Sequence, residues 1–176
     1  MAVNKGKIWE KCFQESWEQS FPNSFILRIP DQQSGYFNAS KNISDFICFN
    51  FPYLFLIECK TIKGNTLPFS NLKQYERMLP YENVKNIKTG FIVWWQDKGV
   101  TAWVPTKSIT QMKEEKKKSI HVDYVKNKLY NIVEIPNVIK RVYPKCDLKI
   151  LLGGNCHVAR INRHNSFNIC CFFSCF

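Results

Sequence analysis

A carboxylate and an ammonium group, Glu58 and Lys60, lie two residues apart at the end of a strongly apolar segment. Side chains alternate along a β-strand, so Glu58 and Lys60 should share one face while Cys59 points into the core. Two charges at the end of an apolar strand cost free energy unless they pair with each other, a metal or a ligand. Asp45 begins the preceding apolar run, and a hairpin between the two runs would bring its carboxylate near Glu58.

Two neighbouring carboxylates repel each other, and a divalent cation that binds both removes the repulsion. Mg²⁺ prefers oxygen ligands and keeps several of its waters, and Mn²⁺ is a second option. One such water, acidified by the metal and oriented by Lys60, could attack a phosphodiester phosphorus in line with the departing oxygen. The metal and Lys60 would offset the growing negative charge. The competing interpretation is a surface ion pair at a strand end, with Asp45 capping a turn.

The elements that must position these residues follow from the spacing of apolar side chains and from turn residues. In chain order the prediction is helix 6–19, strand 25–29, a loop over 31–42, hairpin strands 46–49 and 53–60, helix 71–81, antiparallel strands 90–95 and 100–104, and a short helix capped by Thr106. Trp94, Trp95 and Trp103 fall on predicted strands, so core packing is favoured over base stacking. The order of elements predicts an α/β fold, a mixed sheet flanked by helices.

The charge of the chain is strongly basic, with 25 Lys and Arg against 14 Asp and Glu, for a net charge of +11. A polyanion partner such as nucleic acid would explain this excess, since each neutralised phosphate releases counterions. The alternative is a solvated basic surface, of which the run at Lys113 and Lys116 to Lys118 is an example.

Membrane insertion is not expected. The longest apolar stretch, 46–57, is interrupted by Asn50 and Pro52 and is shorter than the ~20 apolar residues of a spanning helix. The basic N-terminus has no apolar run behind it, unlike a secretory signal. We therefore expect a cytoplasmic protein.

Several short motifs occur in the order typical of one nuclease family. They are Asp45-Phe46, Glu58-Cys59-Lys60-Thr61, Leu67-Pro68-Phe69-Ser70-Asn71 and Gln74, with support from Gly6-Lys7-Ile8-Trp9-Glu10, Arg28-Ile29-Pro30-Asp31, Gly90-Phe91-Ile92-Val93 and Lys118-Ser119-Ile120. In these motifs the sequence resembles the RecU Holliday junction resolvase family, and most closely its shorter, phage-type members. The resemblance covers roughly residues 4–153.

The resemblance implies a restriction-endonuclease-like fold of the PD-(D/E)xK class and Mg²⁺-dependent cleavage of branched double-stranded DNA by a homodimer. It implies that Asp45 and Glu58 bind the metal and that Lys60 stabilises the transition state. Gln74 matches the helix glutamine near the metal, and Glu10 resembles the first-helix acid that often completes such sites.

Lys63, Lys73 and Arg77 flank the proposed site in sequence and are candidate phosphate contacts, with solvated surface charges as the alternative for each. Two other functions remain open at this stage. One is a DNA-binding recombination accessory that has kept the fold without cleavage, and the other is a nuclease of the same fold that acts on linear duplex.

The C-terminal segment differs in composition from the rest of the chain. Residues 154–176 are rich in Cys and Phe, and their spacing contains no CxxC pair of the kind that zinc sites use. We therefore predict a nuclease domain over residues 1–153, followed by a 154–176 tail outside the fold.

Overall fold

The computed structural model describes residues 5–30, 42–140 and 143–153. The predicted loop over 31–42, apart from its last residue, and the predicted 154–176 tail lie outside the described residues. Nothing in the structure therefore tests these two predictions.

The strands are β1 Phe25–Arg28, β2 Phe46–Asn50, β3 Tyr53–Ile62, β4 Thr66–Pro68, β5 Ile87–Trp95, β6 Val100–Pro105, β7 Ser119–His121, β8 Val133–Ile135, β9 Asn137–Lys140 and β10 Tyr143–Cys146. A six-stranded mixed sheet forms the centre of the molecule, in the order β1-β2-β3-β5-β6-β8. Within it β3 and β5 are parallel, and the other neighbouring strands are antiparallel. The helices are α1 Lys5–Ser20, α2 Tyr75–Met78, α3 Thr106–Glu114 and α4 Val122–Lys126. The predicted mixed sheet flanked by helices is confirmed.

Two apolar layers enclose the central sheet. Helix α1 covers one face with its buried Trp9, Phe13 and Trp17, which pack against strand residues such as Phe55 and Cys59. Burying a side chain such as Phe13 contributes about 1.5–3 kcal/mol. The opposite face is covered by α2, α3 and the β4–β7 ribbon, around the strand residues Phe91, Val93 and Trp95. The predicted core positions of Trp94, Trp95 and Trp103 are confirmed, since each is at most 6% exposed.

The single helix predicted over 71–81 is wrong in its extent. The segment contains a 3-10 turn at Phe69–Asn71, the one-turn helix α2, and a second 3-10 turn at Leu79–Tyr81. Leu72 leaves the helical region (φ −99°, ψ 56°) and is buried in the core below α2. Pro80 has no N–H to donate and sits in the second turn, so the regular helix ends before it.

The predicted capping role of Thr106 is also wrong. Thr106 is the first residue of α3, and Pro105 occupies the N-cap position without a side-chain hydrogen bond. The Thr106 hydroxyl is buried and contacts the Met78 sulfur at 3.9 Å. This threonine therefore joins α3 to α2 instead of capping α3.

None of the helices within the described ranges has the length and apolar character needed to cross a bilayer.

Candidate active site

Strand β3 places Glu58 and Lys60 on one face of the sheet, as predicted. Cys59 points to the other face, where it packs in the α1 layer. The Lys60 Nζ lies 2.7 Å from the Glu58 Oε1, and the Glu58 side chain is 2% exposed while that of Lys60 is 25% exposed. The pair thus lies at the edge of the core, with the ammonium nearer to solvent than the carboxylate.

Asp45 lies across from Glu58 because of the β2–β3 register. Phe46 pairs with Ile57, so extending this antiparallel register by one residue puts Asp45 opposite Glu58. The Asp45 Oδ2 accepts a hydrogen bond from the Cys59 N–H at 2.9 Å, and its backbone oxygen accepts one from the Ile29 N–H at 2.8 Å. The structure therefore brings together the three residues on which the sequence argument depended.

The ionisation of Glu58 is strongly perturbed. Burial, with a further contribution from the negative charge of Asp45, raises the pKa of Glu58 from 4.5 to about 8, although the Lys60 ammonium acts in the opposite direction. One neighbouring cation is thus insufficient to stabilise two carboxylates in this environment. A second cation bound between Asp45 and Glu58 would favour the charged form of both.

Two buried oxygens on this face have no hydrogen-bond partner within the part of the chain that the structure describes. They are the Glu58 Oε2 and the Gln74 Oε1. Gln74 occupies the N-cap of α2, which packs in the same apolar layer as Phe91. Phe91 of β5 is the residue that pairs with Glu58 of β3, so Gln74 and Glu58 lie on the same side of the sheet. An unpaired buried oxygen costs about 1–3 kcal/mol. A bound cation would give both oxygens a partner, and without one the protonated Glu58 carboxyl can share its proton with Asp45.

The donor set of Asp45, Glu58 and Gln74 consists of oxygens alone, which suits a hard cation such as Mg²⁺. Residues 5–30, 42–140 and 143–153 contain no group of three His, Cys, Asp or Glu side chains that could hold a metal. The site has two carboxylates and an amide, so a metal bound here would keep some of its waters.

Helix α2 is tied to the segment that leads into Asp45. The Arg77 Nη1 donates to the backbone oxygen of Asn42 at 2.7 Å. Arg77 lies three residues after Gln74, and Asn42 lies three residues before Asp45. This guanidinium therefore has a structural role beside its predicted phosphate contact. Lys63 and Lys73, the other two candidate phosphate contacts, are exposed.

Glu10 lies on α1, the helix that packs on the opposite face of the sheet from Glu58 and Lys60. Its Oε2 accepts hydrogen bonds from the Arg28 Nε, at 2.8 Å, and from the Arg28 Nη2. Its negative charge also contributes to the raised pKa of Cys59, for which burial is the main cause. Glu10 is thus close to Cys59 and Arg28, and its role in catalysis stays a prediction.

Gln96 and Asp97 support the end of β3, a role that no pattern in the sequence indicated for either residue. The Gln96 Nε2 donates to the Thr61 Oγ1 at 2.6 Å, and the Asp97 Oδ2 accepts from the Gly64 N–H at 2.8 Å. Both residues belong to the turn between β5 and β6, which reaches the end of β3 because Trp95 pairs with Ile62. They position the backbone beside Lys60 and Lys63.

No family model matches the chain, and no curated protein matches it. Among solved structures, the chain is similar to Hjc, a Holliday junction resolvase from the archaeal hyperthermophile Archaeoglobus fulgidus, with 16% sequence identity and a TM-score of 0.48. The similarity covers 67% of this chain and 89% of that resolvase.

Proposed function

We propose that this protein is a Mg²⁺-dependent endonuclease that cuts branched double-stranded DNA, with Holliday junctions as the substrate, in the manner of the RecU resolvases that its motifs resemble. The observation that carries the proposal is the placement of Asp45 opposite Glu58, with Lys60 on the same face. This is the arrangement that the PD-(D/E)xK resemblance implies for phosphodiester hydrolysis.

Three residues would hold the metal in this proposal, namely Asp45, Glu58 and Gln74. A bound Mg²⁺ would supply Lewis acidity and an acidified water. The Glu58 Oε2 and the Gln74 Oε1 support this assignment, because both are buried and neither accepts a hydrogen bond from a residue that the structure describes. The backbone N–H of Cys59 keeps the Asp45 carboxylate next to Glu58.

In this proposal Lys60 acts on the scissile phosphate. Its ammonium is held by Glu58 at 2.7 Å and remains partly exposed, so it can contact a substrate without leaving the strand. There it would orient the attacking water and stabilise the additional negative charge of the transition state. The product end would be a 5′-phosphate.

DNA binding follows in the proposal from the basic charge of the chain and from exposed cations near the site. Lys63 follows the end of β3, and Lys73 precedes Gln74. Both are exposed and would contact backbone phosphates, with Arg77 providing its remaining donors.

A homodimer is the second part of the proposal. Strand β1 is an outer strand of the central sheet, and its Phe25 and Leu27 are 52% and 49% exposed. Phe49 of β2 pairs with Phe25 of β1 and is 43% exposed. Exposed apolar clusters mark protein interfaces, and a second copy of this chain is the partner that a resolvase of this type requires. Sedimentation of wild type beside Phe25→Ser should show a dimer that the substitution weakens.

Cleavage of matched substrates tests the proposed function. Purified protein is incubated with a synthetic four-way junction and with a linear duplex of matched sequence, in Mg²⁺ and in EDTA, beside Glu58→Ala. We expect Mg²⁺-dependent cleavage of the junction that Glu58→Ala abolishes. Binding without cleavage by wild type would indicate the accessory function, and equal cutting of both substrates would indicate a general nuclease.

A further inference from the structure

Three consecutive lysines, Lys116, Lys117 and Lys118, connect α3 to β7, and we refer to them as the lysine corner. All three are exposed, and none has an ion-pair partner among the residues with described structure. Two nearby lysines differ in this respect, since Lys113 pairs with Glu76 at 2.9 Å and Lys126 approaches Asp123 at 4.0 Å. The charge of the lysine corner is therefore available to a partner.

Backbone hydrogen bonds fix the lysine corner at both ends. At the end of α3, the Lys116 N–H donates to the Lys113 oxygen and the Lys117 N–H to the Met112 oxygen, both at 2.9 Å. At the other end, the Lys118 oxygen accepts from the Phe69 N–H at 3.0 Å. Lys116 adopts the left-handed conformation (φ 60°) that usually favours glycine at a helix end. Lys116 thus occupies a position where backbone geometry alone would favour glycine.

The lysine corner is linked to the candidate active site through the segment that leads from Phe69 to Gln74. Phe69, which bonds to Lys118, precedes Gln74 by five residues, so at most about 18 Å of extended chain separates them. Lys113, at the end of α3, also lies 3.7 Å from the centre of the Tyr75 ring. Tyr75 directly follows Gln74.

The neighbouring carboxylates are engaged away from the lysine corner. Glu115 accepts a hydrogen bond from the Tyr130 hydroxyl at 2.6 Å. Glu114 lines a separate cavity together with Lys107 and Asn131. A hydrogen bond from a neutral hydroxyl leaves the charge of Glu115 in place, so residues 114–118 carry three lysine charges against two carboxylates. In the described part of the chain neither carboxylate forms an ion pair with the lysine corner.

We propose that Lys116, Lys117 and Lys118 form a phosphate-binding surface that holds a duplex arm of the DNA whose scissile phosphate lies at Asp45 and Glu58. The ligand in this proposal, duplex DNA, rests on the proposed function. B-form DNA carries one negative charge per ~1.7 Å of axis, so a duplex arm presents roughly ten phosphates over the ~18 Å that is the upper limit between Phe69 and Gln74. Lys63, Lys73 and Arg77 contact the phosphates of the DNA segment that is cut. The lysine corner contacts the phosphates of the adjoining duplex arm and so sets the direction of that arm.

Two matched double variants test this surface. Lys117→Ala with Lys118→Ala removes two charges from the corner, and Lys145→Ala with Lys149→Ala removes two exposed charges from elsewhere in the fold, where β10 packs against α1. Affinity for a duplex and for a four-way junction is measured in EDTA, which prevents cleavage, over a range of salt concentrations. The corner variant should lower the salt slope by roughly two, at about 0.9 for each lost phosphate contact, while the control keeps the wild-type slope.

A third variant separates charge from folding. Lys116→Gly removes one charge and places glycine at a left-handed position, so it should weaken DNA binding while keeping or raising the melting temperature. Equal salt slopes for the two double variants would overturn the lysine surface and leave the nuclease proposal intact. If wild type binds DNA through these lysines but does not cleave it in Mg²⁺, the proposed phosphate-binding surface stands and the proposed nuclease function is overturned. Absence of DNA binding by wild type would overturn both.

Discussion

The carboxylate of Asp45 accepts a hydrogen bond at 2.9 Å from the backbone N–H of Cys59. Because Cys59 stands between Glu58 and Lys60, this bond fixes Asp45 beside the side chains of both residues. The bond uses backbone, so its geometry depends on the β2–β3 register and is independent of the Cys59 side chain. The consequence is a pair of carboxyl groups held side by side, which raises the pKa of Glu58.

Removing the charge of Asp45 should separate stability from activity. Asp45→Asn keeps an oxygen that can accept from the Cys59 N–H, and it removes the negative charge that helps to raise the pKa of Glu58. We expect a metal-free melting temperature equal to or above that of wild type, together with loss of junction cleavage. Thermal unfolding and a cleavage assay check the two effects, and a strongly destabilised variant would show that the charge of Asp45 is structurally required.

The stability of the metal-free protein should depend on pH through Glu58. The pKa of Glu58 is raised from 4.5 to about 8 in the fold, so the folded state favours its protonated form. Its contribution to stability is fully present below about pH 4.5 and is lost as the pH rises through about 8. One such proton contributes at most about 1.4 kcal/mol per pH unit in this window.

A comparison with Glu58→Gln isolates this effect, because the other titrating groups are common to both proteins. The difference in melting temperature, variant minus wild type, should grow between pH 5 and pH 8.5 in EDTA. A difference that is constant across this range would show that Glu58 titrates with an ordinary pKa.

Lys60 should contribute to the rate more than to DNA binding. Lys60→Ala removes the ammonium that is proposed to stabilise the transition state, and losing one such group lowers rates on the order of 10²–10³-fold. The dissociation constant for the junction should change by less than about fivefold, since many other cations contact the phosphates. Single-turnover cleavage and equilibrium binding measure the two quantities, and a wild-type rate would exclude Lys60 from the chemistry.

Gln74 should affect the requirement for metal with little effect on folding. Its Oε1 has no partner among the described residues, so Gln74→Ala removes a buried oxygen without breaking a hydrogen bond. We expect a higher Mg²⁺ concentration for half-maximal cleavage and an unchanged melting temperature. Gln96→Ala is the contrasting variant, because it breaks the 2.6 Å bond to Thr61 and should cost about 1 kcal/mol of stability. An unchanged Mg²⁺ requirement in Gln74→Ala would remove Gln74 from the proposed ligands.

The centre of the fold could be predicted because its signals are local. The alternation of Glu58, Cys59 and Lys60 has the strand period, and the short Phe51-Pro52 connection fixes the hairpin that places Asp45 opposite Glu58. The strand period puts Glu58 and Lys60 on one face of the sheet, and the hairpin puts Asp45 opposite Glu58. The sequence could therefore predict the arrangement of the candidate site before the rest of the sheet was known.

Other features depend on packing between distant segments. The β4–β7 ribbon has three residues in each strand, too few to show a period, and the break at Leu72 occurs because that side chain enters the core. The position of Glu10 depends on α1 crossing the opposite face of the sheet, and the role of Gln96 depends on β5 lying beside β3. No local pattern contains this information.

The rate of four-way junction cleavage in Mg²⁺ by Glu58→Gln, beside Glu134→Gln as a control, tests the central claim most directly. Glu134 is an exposed residue of β8, so its substitution removes the same charge away from the site. We predict that wild type and Glu134→Gln cut the junction at the same rate, and that Glu58→Gln is slower by at least about 10²-fold while it remains folded and binds the junction. Cleavage by folded Glu58→Gln at the wild-type rate would contradict the assignment of Asp45, Glu58 and Lys60 as the active site.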